Sequence, residues 1–137
     1  MSPLPEVIEQ TKILQEKIQV DFIPATMEYL KRGGRIGSLS ATIASILKIK
    51  PIFRFKNGVV SVVKKVLGFS RAVGDMVMQV PKTFKKVYLL YIHKSENIEL
   101  IKQKLSTLLG INNPKVLAVG PVFGAHVGVG AVGIASI

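Results

Sequence analysis

Cysteine is absent from this chain, which excludes disulfides and thiolate metal sites. Acidic residues are missing from the whole window between Glu28 and Asp75. No charged residue at all occurs between Val116 and Ile137. Neither glycine-rich stretch is followed by Gly-Lys-Ser/Thr, so neither is a nucleotide P-loop. No nucleophile–base pair, metal-ligand cluster or carboxylate dyad stands out, so neither catalysis nor a bound metal or cofactor is expected. The first residues, MSPLPEVIEQ, contain acids and prolines and no apolar h-region, and a cytoplasmic protein is the expectation.

What is present fits one domain spanning residues 1–137, large enough for a real core. Apolar residues make up 48% of the chain, too many for disorder. Nineteen Lys and Arg against eight Asp and Glu give +11. The acid-free window holds Lys31, Arg32, Arg35, Lys48, Lys50, Arg54, Lys56, Lys64, Lys65 and Arg71. Such a field attracts nucleic acid, acidic lipid, a carboxylate ligand or an acidic partner, and it equally serves as a solvated face.

Hydrophobic periodicity predicts a helix over Leu4 to Lys17, with Pro5 in its first turn. QVDFIPA reads as a strand with Val20 and Phe22 on one face; Pro24 marks an edge or the strand's end. MEYLKRG reads as a short helix stopped by Gly33 and Gly34, and SLSATIASILKI as another. KPIFRFKNGVVSVVKKV is a hairpin turning at Asn57-Gly58. A helix follows from Phe69 to about Val80, ended by Pro81. KVYLLYIH is apolar on both faces and suits a central strand that His93 ends. SENIELIKQKLSTLLGI is a helix with Ser95 as N-cap and Gly110 as C-cap. KVLAVG and AVGIASI close the chain as strands. The class is α/β (α+β): a mixed sheet of about five to six strands with helices packed on it.

The uncharged tail is long enough to span a bilayer, and Gly120, Gly124 and Gly128 have the spacing of packed membrane helices. Pro121, five glycines and His126 speak against that, as does the lack of flanking cations and aromatic belts. Strand, glycine loop, strand is the preferred reading. The loop GPVFGAHVGVG exposes backbone N–H groups around an imidazole. KRGGRIGSLSA is the second such place: Arg35 and a helix start would make an anion site there, while for the stretch in isolation a helix cap followed by a solvent-facing Arg35 is the preferred reading. A nucleic-acid-binding module using residues 31–71 is the rival reading; it lacks aromatic interleaving beyond Phe53 and Phe55.

MEYLKRGGRIG, IKPIFRFKNGVV and VGPVFGAHVGVGAVG occur in an order that resembles the C-terminal domain of the DegV family of bacterial fatty-acid-binding proteins. The likeness covers nearly the whole chain from about Leu4. It implies two α/β domains with a long-chain fatty acid between them, its carboxylate held by hydroxyls of the N-terminal domain and polar groups of the C-terminal one. It further implies presentation of the acyl chain to a fatty acid kinase. By motif, Arg35 and His126 fall near the head group, and Ile36, Leu39, Ile43 and Phe123 are candidates to line the tail. The family's N-terminal domain is absent from this chain, and the apolar surface so exposed invites self-association. Val127 and Val129 stand where the family usually has Thr and Pro, which removes a hydroxyl and a stiffening ring.

Overall fold

The computed structural model describes residues 3–24, 49–93, 97–120 and 130–137. In chain order these form α1 (Leu4–Lys17), β1 (Gln19–Ile23), β2 (Ile49–Lys56), β3 (Val59–Leu67), α2 (Phe69–Met78), β4 (Val87–Tyr91), α3 (Ile98–Leu109), β5 (Lys115–Ala118) and β6 (Val132–Ser136). The helices expected in MEYLKRG and SLSATIASILKI lie outside the described residues, as does Ser95.

The strands make one six-stranded sheet in the order β3-β2-β1-β6-β4-β5. Neighbours are antiparallel except β4 and β5, which run parallel. A parallel step needs a crossover, and α3 provides it. The mixed α/β sheet is therefore as expected. β1 is an inner strand, so Pro24 ends it and does not mark an edge. Of the uncharged tail, β5 and β6 take residues 116–118 and 132–136, and residues 121–129 lie outside the described residues. No helix among the described residues is long and apolar enough to cross a membrane.

Local chemistry explains the turns and caps. Asn57 and Gly58 have φ of 52° and 75°, the left-handed pair that lets a two-residue turn match strand twist. Gly110 ends α3 with φ 68°, and the N–H of Ile111 then reaches back to the Leu105 carbonyl. α2 stops at Met78, two residues before the expected end, with Gln79 as its cap. Gln79 is used elsewhere. Its carbonyl accepts from the Gln19 side chain at 3.1 Å, and its Oε1 accepts from Arg54 at 3.2 Å.

One sheet face is covered by α2 and α3. Ala72, Val73, Met76 and Val77 of α2 and Ile98, Ile101 and Leu105 of α3 meet Ile23, Ile52, Leu89, Val132 and Ile134. Full burial of one such side chain stabilises the fold by about 1.5–3 kcal/mol. The same face contains a buried charge. Asp21 is 2% exposed and receives two bonds from Arg54, at 2.9 Å and 3.1 Å, and one from Gln19 at 3.3 Å. Among the described residues no buried side-chain nitrogen or oxygen lacks a partner.

β3 holds a register shift opposite Ile52 and Phe53. Phe53 pairs with Val62 and Ile52 with Lys64, so Val63 is the extra residue. Val63 packs on the helix-side core, and the adjacent Lys64 bonds Asp75 of α2 at 3.1 Å. Two successive residues thus serve the same side.

Candidate functional site

Four strands, β1, β3, β4 and β5, finish at one end of the sheet. β1 finishes at Ile23, opposite Val132 at the start of β6. Val132 is also paired with Tyr91 at the finish of β4. β2 starts at this end, and β5 finishes here. Backbone bonds pin the rim: Val119 donates to Tyr91 at 2.9 Å, Ile92 to Ala131 at 3.2 Å, and Gly130 to Ile92 at 3.0 Å. The segment after Pro24 and the segment before Gly130 are therefore rooted on adjacent strands.

All six sequence-expected contact residues fall in those two segments. Arg35, Ile36, Leu39 and Ile43 lie between Pro24 and Ile49; Phe123 and His126 lie between Gly120 and Gly130. All six lie outside the described residues, which give only the strands that carry them. His93, expected to end β4, sits just past it with φ 64° and is exposed.

Below the rim, the second sheet face carries a small apolar cluster of Phe22, Phe53, Ile92 and Ala131. Phe22 and Phe53 stack at 5.5 Å between ring centres and 19° between planes, a favourable offset geometry. Val20, Phe22, Leu90, Ile92, Val119, Ala131 and Gly133 line a narrow cleft with room for about 10 Å³. Gly133 is needed here. A Cβ at this position would stand 2.8 Å from the Asp21 carbonyl oxygen and 3.1 Å from Phe22 Cβ. The sequence placed Val20 and Phe22 on one face of β1 but gave no role to the other cleft residues. Their strand alternation was legible, but which strands lie side by side was not.

Electrostatics at the described part of the site are quiet. The hydrogen bonding that Arg54 donates to Asp21 raises its pKa above the ordinary value; burial opposes this and the Asp21 charge adds to it. Arg54 is thus committed to a structural pair. Lys64 is likewise engaged by Asp75. On β3, Lys64 and Lys65 are successive residues of a strand, and only Lys64 is paired on the α2 side. Two of the six described cations in the expected nucleic-acid window are hence already used. No group of His, Asp or Glu among the described residues is arranged to hold a metal.

Comparison with known proteins gives consistent results. The profile of an uncharacterised protein family, the DegV family, matches residues 2–137. A DegV domain-containing protein of Clostridium acetobutylicum is 36% identical over 141 residues, covering 93% of this chain and 48% of the relative. One from Clostridium perfringens is 34% identical over 135 residues, covering 93% and 47%. Among solved structures, a fatty acid binding DegV family protein from Streptococcus agalactiae superposes with a TM-score of 0.82 at 22% identity, over 98% of this chain and 49% of that one. A DegV family protein from Thermus thermophilus, described for its fatty acid binding, gives 0.78 at 26% identity, over 98% and 50%. The chain spans about half the length of the relatives it matches.

Proposed function

This chain belongs to the DegV family, and on that premise we propose that it is the lipid-binding half of a long-chain fatty acid carrier. The observation that supports this most is the pairing of Ile23 with Val132. It roots the Arg35 segment and the His126 segment on neighbouring strands, above a cleft walled by carbon. The fatty acid binding of the Thermus thermophilus relative supports the same reading.

In this proposal Arg35 and His126 receive the carboxylate. A carboxylate taken from water without partners is costly, so the head group needs these donors. Ile36, Leu39, Ile43 and Phe123 line the acyl tail. The cleft residues Phe22, Leu90, Ile92 and Val119 extend that lining. Each buried CH₂ contributes on the order of 0.8 kcal/mol, so the tail supplies affinity and the head group supplies direction. A second, N-terminal DegV domain contributes hydroxyls from across the tunnel. The carrier performs no chemistry itself and offers the acyl chain to a fatty acid kinase.

Mass spectrometry of lipid extracted from the two-domain protein tests the reading. A co-purifying acyl chain is expected, and Arg35→Ala or His126→Ala weakens oleate binding by about tenfold or more, the size of a lost bond to a charged group. A protein that yields no acyl chain and takes up neither oleate nor palmitate defeats it.

A further inference from the structure

α1 and the groove beside it are explained by neither the core nor the lipid site. α1 buries no residue. Leu4 is 72% exposed, and Val7, Ile8 and Leu14 are also exposed. Leu4, Val7, Thr11, Leu14 and Ile18 alternate in steps of three and four, which places them along one stripe of the helix. A helix this short is marginal in water without packing.

Next to it lies a groove of about 850 Å³ at the sheet end opposite the lipid rim. Leu14 and Ile18 form one wall, with Phe84, Tyr88 and Ile137 among the other lining residues. Its charged residues are Lys17, Lys56, Lys85 and Lys86, against the single acid Glu16. The first half of α1 has the complementary character. Before Lys12 its only charges are Glu6 and Glu9, beside Leu4, Val7 and Ile8.

We infer that the chain forms a two-fold dimer in which the first half of α1 from each copy lies in the lysine-rimmed groove of the other. The helix itself supplies the geometry. Its second half is a wall of its own groove, so two α1 helices running antiparallel bring each first half to the other groove. The crossing falls at Thr11, midway between Leu4 and Ile18, where the hydroxyl is already bonded to the Val7 carbonyl at 2.8 Å. One contact, made twice, covers both apolar stripes and pairs acid with lysine, as an isologous interface requires. The dimer face and the lipid rim are at opposite ends of the sheet, so the two activities are separable.

Sedimentation equilibrium of the full chain at low and high salt tests this. A monomer–dimer equilibrium weakened by salt is expected. Glu6→Lys combined with Glu9→Lys raises the dimer Kd by about tenfold or more. Adding Lys85→Glu and Lys86→Glu to that variant recovers most of the loss. At concentrations where both proteins are monomeric, far-UV circular dichroism melting curves of the Glu variants match the parent's, because α1 buries no residue. A chain that remains monomeric up to sub-millimolar concentration overturns the inference. So does a dimer indifferent to the double charge reversal, or one that the four-residue swap fails to restore.

Discussion

At the scale of single residues, Asp21 and Arg54 make the sharpest contrast. They form one bidentate pair, yet the Asp21 side chain is 3% exposed and the Arg54 side chain 26%. Removing Arg54 strands a buried carboxylate; removing the Asp21 charge leaves a guanidinium that still reaches water. Arg54→Ala is therefore expected to cost about 3–5 kcal/mol in urea unfolding, and Asp21→Asn clearly less. Equal losses would show that the pair is not asymmetric in solvation. Because the folded Arg54 pKa is raised, its contribution is complete below the ordinary arginine range and fades only as pH climbs through the raised value. Unfolding free energy should thus not vary on Arg54's account around neutral pH. Gly133 is the other decisive residue. Gly133→Ala meets a carbonyl oxygen at 2.8 Å, and overpacking of this kind is expected to cost about 1–3 kcal/mol, read as a lower urea midpoint. Neither effect was legible in the sequence. Asp21 and Arg54 are 33 positions apart, and the spacing of residues along a chain does not say which strands become neighbours.

At the scale of elements, the three described helices differ in what holds them. α2 and α3 are fixed by buried stripes, whereas α1 has no buried residue. Leu105→Ala in α3 should cost about 2–5 kcal/mol, whereas Leu4→Ala in α1 should stay within about 0.5 kcal/mol. Chemical denaturation of the two variants side by side checks the ranking. With denaturation followed where the chain is monomeric, a large loss from Leu4→Ala would mean that α1 is packed within its own chain. Elements were the most readable level. The bounds of α1, the Asn57-Gly58 turn and the Gly110 cap follow from periodicity and from residues that tolerate positive φ. α2 ends at Met78 with Gln79 as an αR cap, close to the expected end at about Val80. Ser95 as the cap of α3 lies outside the described residues; Asn97 occupies the N-cap position and makes no side-chain cap bond.

At the scale of the whole molecule, the sheet separates two tasks by its two ends. The rim that carries the glycine segments is proposed for lipid; the lysine-rimmed groove is assigned to self-association. Ligand should therefore stabilise without altering assembly. Palmitate at a hundredfold excess over its Kd is expected to add about 2.7 kcal/mol to the stability of the two-domain protein, seen as a higher melting temperature. The Glu6→Lys, Glu9→Lys variant should show the same gain. A gain abolished by those surface changes would tie the two ends together. The order of motifs made the family readable from residues alone, while the six expected contact residues sit in segments that only their supporting strands describe.

The register shift at Val63 has one more consequence. In β3 the even-numbered Val60 and Val62 share a side with Phe55 and Phe53, and past Val63 the even-numbered Val66 joins the helix-side core. The strand changes parity at a single codon. Deleting Val63 alone leaves every later partner in place and merely regularises the ladder. Deleting Lys65 with the bulge kept would set Val66 opposite Pro51, turning it away from the helices, and would bring Leu67 to the helix side. Tolerance to in-frame gaps in this hairpin should therefore be confined to that one point.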